Sequence, residues 1–277
     1  MAKESLPTEV SVVAVDRGYV EFCLLGRTPL IFHRMSEKVK RYLILPPPGK
    51  KTAADKAATL KHDPLEEYRS SVYLAKKDLD NKTHLVFPGR AFKQAISDAA
   101  LDLPGLKKAQ IGRLCGVEEF DVSVFGIPAL HMKGVRNSDM NHTPDIRTRA
   151  CCENWAAKLT VSYTKPLVKQ ADIVNLVAAA GVFIGIGDDR QQKGGGSHGL
   201  WDIVAPTDAR FQAVVKHGGA EAQKAALEHP AMYDDETADL YNWYNVEIRR
   251  RGEENVTQMK PRASKKAKTS KLAKLAA

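Results

Sequence analysis

The densest chemistry in this sequence lies in fifteen residues, Gly185-Ile186-Gly187-Asp188-Asp189-Arg190-Gln191-Gln192-Lys193-Gly194-Gly195-Gly196-Ser197-His198-Gly199. Its six glycines free the backbone for positive φ and let N–H groups approach a ligand closely. Arg190 and Lys193 add charge, and Ser197 and His198 add donors, so the loop suits a phosphodiester. Taken alone it reads equally well as a surface hairpin. Gly194-x-Gly196-x-x-Gly199 has the letters of a dinucleotide fingerprint, but that motif follows a strand and opens a helix. Here the strand-like run Leu200–Val204 comes after it, and no Gly-Lys-Ser/Thr makes a P-loop. No cofactor is expected.

Other residues offer weaker chemistry. The stretch from His131 to Arg149 carries Lys133, Arg136, Arg147 and Arg149 against Asp139 and Asp145, and a basic arm of this kind can cross a strand and meet phosphates. A solvated charged loop is the plainer reading. His131, Asp139, His142 and Asp145 have no spacing that fixes a metal geometry, so no metal is expected. His33 beside Arg34 could act as general acid and phosphate anchor, and Asp188-Asp189 could bind Mg²⁺ for strand hydrolysis. A structural histidine, and a turn or local ion pair with Arg190, are the simpler readings. Phe125, Tyr163 and Trp201 could stack bases, although aromatics on strands usually belong to the core.

The elements that position these residues follow from periodicity. Strands are expected over Val10–Val15 and Tyr19–Leu25, broken at Asp16-Arg17-Gly18, then at His84–Phe87, Phe120–Phe125, Trp155–Tyr163 and Leu200–Val204. Helices are expected at Ser36–Leu45 with Ser36 as cap and after the Asp63-Pro64 start. Another begins at Pro88, with Phe92, Ala95, Ile96 and Ala99 on its core face and Arg90 and Lys93 opposite. A further helix, Lys169–Ala180, would be closed by Gly181. Residues 46–62 read as a mobile insertion and His131–Arg149 as an irregular one. Helices over Asp208–Glu228 and Asp235–Tyr244 form a C-terminal extension.

Two short patterns carry a family resemblance. Leu85-Val86-Phe87-Pro88-Gly89-Arg90-Ala91-Phe92-Lys93 runs a strand into a helix, and Gly194-Gly195-Gly196-Ser197-His198-Gly199-Leu200-Trp201 leads a glycine loop into a last strand. Together they resemble the repeat-associated RNA-binding (RAMP) superfamily, which includes backbone subunits of CRISPR effector complexes. The family's arginine-rich glycine loop is matched only in part, since His198 stands where a basic residue is common. The resemblance implies an α+β fold with an RRM/ferredoxin-like β-α-β-β-α-β core over residues 1–205. It makes 131–149 a protruding thumb, places a helical extension at 206–254, and implies head-to-tail homo-oligomers along a bound strand. Gly26-Arg27-Thr28-Pro29-Leu30-Ile31-Phe32-His33 and Arg147-x-Arg149 are also similar to uncharacterised phage and prophage proteins.

Charge qualifies this reading. The 277-residue chain carries a net charge of +9, but Lys260, Arg262, Lys265, Lys266, Lys268, Lys271 and Lys274 stand in an acid-free end from residue 255; nine less these seven leaves +2 for residues 1–254. Any polyanion site in the globular part is therefore a local patch. The basic end is expected to be disordered and to add affinity without sequence choice, through Lys265, Lys266 and Lys268 among others. Four cysteines without a C-x-x-C spacing read as free thiols, and no apolar run is long enough to span a membrane. A cytoplasmic protein without a secretory signal is expected. The expected function is a grip on the backbone of single-stranded RNA or DNA by Arg90, Lys93, Lys133, Arg136, Arg147, Arg149, Arg190 and Lys193–His198, without catalysis. A nuclease of the same fold and a partner-binding protein are the alternatives.

Overall fold

The computed structural model describes residues 13–45, 61–76, 82–136, 142–192 and 195–258 of the chain. It is a mixed α+β structure built on two antiparallel sheets. The larger sheet runs β10 (Trp201–Val204), β1 (Asp16–Gly26), β9 (Ala156–Lys165), β6 (Asp121–Phe125), β4 (Leu85–Pro88), β3 (Tyr73–Leu74), with β5 (Cys115–Val117) also beside β9. The smaller sheet orders β2 (Leu30–Ile31), β8 (Pro144–Cys152) and β7 (Pro128–Arg136). The helices are α1 (Glu37–Ile44), α2 (Pro64–Ser70), α3 (Gly89–Ala99), α4 (Lys108–Leu114), α5 (Gln170–Ala179), α6 (Ala209–His217), α7 (Ala220–Glu228) and α8 (Asp235–Gln258). Among the described residues no helix is long and apolar enough to cross a membrane.

Strand β1 corrects the expected break at Asp16-Arg17-Gly18. Those residues pair with Lys165, Thr164 and Tyr163 of β9, so the long partner strand satisfies the backbone that looked like a turn. Gly18 is needed there because the Tyr163 ring and the Lys165 stem lie over it. Residues 13–15 are outside any strand, and 10–12 lie outside the described residues. The inward side chains Phe22 and Leu24 join Phe92, Ile96, Trp155, Leu159, Leu176 and Trp201 in one core beneath α3 and α5. Each large side chain buried this way contributes about 2 kcal/mol. Phe211 of α6 packs with Leu25, Phe125 and Ala156 in a second, smaller cluster.

Three further expectations are corrected. Helix α5 does not stop at Gly181. A π turn, Ala180–Ile184, carries the chain on to Gly185, whose φ of 71° ends it. Gly181 is instead required by packing, because a Cβ there would strike the Trp201 carbonyl and indole. The described parts of 131–149 are not irregular, since β7 and β8 pair in register from Pro128↔Cys152 to Arg136↔Pro144 as the arms of a hairpin. The expected helix-rich run Asp208–Glu228 forms, as two helices parted at Gly218-Gly219, but the last helix does not end at Tyr244, since α8 continues well beyond it. The caps at Ser36 and Asp63 form as expected, each side chain accepting a backbone N–H three residues on. Cys23, Cys115, Cys151 and Cys152 are free thiols, the last three buried.

Candidate functional site

The small sheet builds the floor of the site. Phe32 N–H donates to the Ala150 carbonyl at 2.9 Å, which extends the β2–β8 register by one residue and sets His33 opposite Arg149. Across the hairpin Arg149 faces His131, and in the next row Arg147 faces Lys133. Partners in an antiparallel register share one sheet face, so these cationic and imidazole side chains form a single surface. Arg136 belongs to the other face. It lines a separate groove of about 530 Å³ with Lys61, His62 and Asp145.

The glycine loop docks on this floor. Asp188 N–H donates to the Ile31 carbonyl at 3.1 Å, and Gly199 N–H donates to the Pro29 carbonyl at 2.8 Å. Gly187, at φ 87°, lies against the Ile31 carbonyl, where a Cβ would clash. The Asp188 carboxylate pairs with the Arg149 guanidinium. Asp189 pairs with Lys133 Nζ at 2.8 Å and lies 3.4 Å from His198 Nδ1. Arg190 Nη1 donates to the Gly185 carbonyl at 3.3 Å. The two loop acids therefore pair across to the hairpin rather than with Arg190. Gly196 packs against Asp189, Gly195 takes φ 74° and Ser197 is exposed.

Helix α3 supplies the opposite wall. Gly89 opens it because a Cβ would strike the Glu119 carbonyl, and no side chain caps its first turn. Its polar stripe Arg90, Gln94 and Asp98 faces the loop. Asp98, almost wholly buried, accepts from Gln94 at 2.8 Å and Gln192 at 3.0 Å, and pairs with Lys108. Burial alone would raise its carboxyl, but the hydrogen bonds from Lys108, Gln192 and Gln94 outweigh that and hold it below the usual range. Between the walls opens a cleft of about 480 Å³ lined by His33, Tyr73, Phe87, Pro88, Arg90, Ala91, Gln94, Gly187 and Arg190.

The electrostatics are those of a partly dry cationic site. Desolvation, then the Arg149 and Arg147 charges, bring the His33 imidazole down to about 4. It is thus neutral at pH 7, which speaks against the general-acid alternative. Desolvation and Arg147 likewise pull Arg149 down to about 10, with Asp189 working the other way, so it keeps its charge. His131 is lowered chiefly by desolvation. Among the described residues, the buried side-chain polar atoms lacking a hydrogen-bond partner are Thr148 Oγ1, Arg149 Nη2 and Arg190 Nε. Two of the three are guanidinium N–H groups of this site.

Arg90, Arg190, Arg147, Arg149, Lys133 and His198 are thus brought together around the loop. Lys93 does not line the cleft, and its charge falls on Cys115 beyond the other flank of α3. Lys193, Gly194, Lys265, Lys266 and Lys268 lie outside the described residues, as does Asp139. Among the described residues no group of three or more His, Cys, Asp or Glu side chains could hold a metal ion, and Asp145 is engaged by Lys61 and His62. Phe125, Tyr163 and Trp201 are buried, which removes them as stacking surfaces. Tyr73 lines the cleft and was missed, because β3 is two residues long and leaves no alternation to read. The Arg90-Gln94-Asp98 spacing was a legible signal, three polar residues one helical turn apart on one face of the helix. No protein-family model matches the chain, and no curated protein matches it significantly.

Proposed function

We propose that the protein binds single-stranded nucleic acid by its phosphates, in the cleft between α3 and the Gly185–Gly199 loop and on the cationic face of the β7–β8 hairpin beside it. The observation that carries this reading is that two arginines, the buried Arg149 and the half-buried Arg190, each keep one buried N–H without a partner among the described residues, on two elements that meet beside an open cleft. A buried N–H without an acceptor costs about 1–3 kcal/mol, and an incoming phosphate oxygen removes that cost. Arg90 and Arg147 lie near enough to share the same polyanion, and Tyr73 offers an aromatic wall beside it. The strand order β10-β1-β9-β6, with α3 between β1 and β6 and α5 between β9 and β10 in the chain, supports an RRM/ferredoxin-like core of the kind the family resemblance implies. Head-to-tail assembly along the strand belongs to the same proposal, as does added affinity from Lys265, Lys266 and Lys268.

The test is fluorescence anisotropy with labelled oligothymidylate and oligouridylate over a salt series. Replacing Arg149 and Arg190 together by Met is expected to weaken binding by about tenfold or more and to make the log–log salt slope shallower by about 1.4, which is two phosphate contacts at about 0.7 each. Unchanged affinity and slope in that variant would place binding elsewhere and end the reading.

A further inference from the structure

We propose that Asp188 and Asp189 are an internal anionic plug: they occupy, in the empty protein, the hairpin cations that receive the strand's phosphates, and a bound strand displaces them. This rests on the phosphate-binding reading above and concerns how that same site is regulated.

One tight turn delivers two adjacent carboxylates to two cations of the hairpin, Asp188 to Arg149 and Asp189 to Lys133, with His198 beside the second. Arg149 is left half matched, since Nη1 has the carboxylate and Nη2 has no hydrogen-bond partner among the described residues. A phosphate with several oxygens can bridge both nitrogens where this carboxylate takes one. The turn is held in an unfavourable shape for the purpose. Asp189 itself has φ 52°, flanked by Gly185 and Gly187 before it and Gly195 and Gly199 after it, all at positive φ. His198 N–H donates to the Asp189 carbonyl at 3.3 Å, and Gly196 has no Cβ to keep that carbonyl away. Asn in place of the acids would satisfy the same backbone conformation without adding negative charge to an anion site. Both carboxylates retain solvent contact, with side chains 28% and 20% exposed, so water can take them up once they are released. A chain of phosphates replaces both at once, whereas a single small anion must break one pair to form one. The plug therefore favours polyanions over free phosphate.

The test compares the full chain with the Asp188→Asn/Asp189→Asn variant, using labelled oligothymidylate as ligand and inorganic phosphate as competitor. The variant is expected to bind the oligonucleotide about tenfold tighter, a few-fold for each released pair, and to become sensitive to millimolar phosphate that leaves the wild type unaffected. If wild type binds and the variant binds equally or more weakly, the acids are only clamps between loop and hairpin and the plug is overturned. If neither protein binds, or if the wild type binds and Arg149→Met leaves its affinity unchanged, it is the site reading that has failed. A thermal melt accompanies each variant. Should the double variant unfold, Asp189→Asn alone, which frees Lys133 and His198, carries the test with an expected gain of about threefold.

Discussion

His33 and Arg149 lie across from each other on the small sheet and are shaped by the same desolvation with opposite results. The guanidinium stays charged at any physiological pH, while the imidazole, pulled to about 4, stays neutral. A group whose folded pKa is depressed in this way favours deprotonation in the folded state. It therefore costs stability as the pH falls from the unfolded value near 6.5 toward about 4. In the proposed complex phosphates would reverse the preference, because they favour imidazolium, so binding is expected to raise the His33 pKa and take up a proton. Oligonucleotide affinity is expected to rise several-fold between pH 7 and about 5, and His33→Ala to lose most of that rise. His131, lowered mainly by desolvation and facing Asp234, Lys133 and Arg149, supplies a smaller remainder. Anisotropy titrations at fixed ionic strength measure this. An affinity that is flat or falls on acidification would mean that His33 does not face the phosphates.

At the scale of elements, what the sequence showed depended on whether one partner or several decided the conformation. Helices α3 and α5 and strand β9 were legible, because one apolar face at the right period was enough. The hairpin was not. Its alternation was present, with Leu130 and Met132 alternating with His131 and Lys133, and Thr148 and Ala150 with Arg147 and Arg149. The charged residues on one face gave it the composition of a loop. The start of β1 was hidden in the same way, since a turn-like Asp-Arg-Gly becomes strand only when a ten-residue partner lies alongside. The glycine loop was legible as a phosphate-suited segment, but not as one that carries its own acids to the cations. Its closure depends on Gly199, at φ 71°, where a Cβ would strike the Ile186 carbonyl. Gly199→Ala is therefore expected to destabilise the fold by about 1–3 kcal/mol in urea unfolding, and to reduce oligonucleotide binding even where the protein remains folded. Gly195→Ala, a positive-φ site with open space around it, tests strain without a clash and is expected to cost less. Equal effects would show that the Ile186 contact is not what shapes the loop.

At the scale of the molecule, the cleft exists only because distant parts of the chain are held on one core. His33, Arg90, Arg149 and Arg190 come from four segments, so no fragment contains the site. The C-terminal helices help to fix its frame. Gln223 of α7 is fully buried and accepts from the His84 and Leu85 amides at 2.7 and 2.8 Å, at the start of β4, the strand that leads into α3. Its amide N–H groups are shared among the Val124, Gly126 and Gly218 carbonyls at 2.8, 3.1 and 2.8 Å. One side chain thus joins β4, the end of β6 and the junction of α6 with α7. Tyr68 of α2 adds a second tie, its hydroxyl lying 3.0 Å from both the Pro128 and the Ala226 carbonyls. Gln223→Ala strands the buried Leu85 amide, the half-buried His84 amide and several carbonyls, which is expected to cost about 3 kcal/mol. Because Gln223 does not line the cleft, oligonucleotide affinity should be unchanged while the variant is folded and should vanish with it in a single urea transition. If the C-terminal helices melted first and left binding intact, the helices would be an appendage, and the frame of the cleft would reside in the sheets and α3 alone.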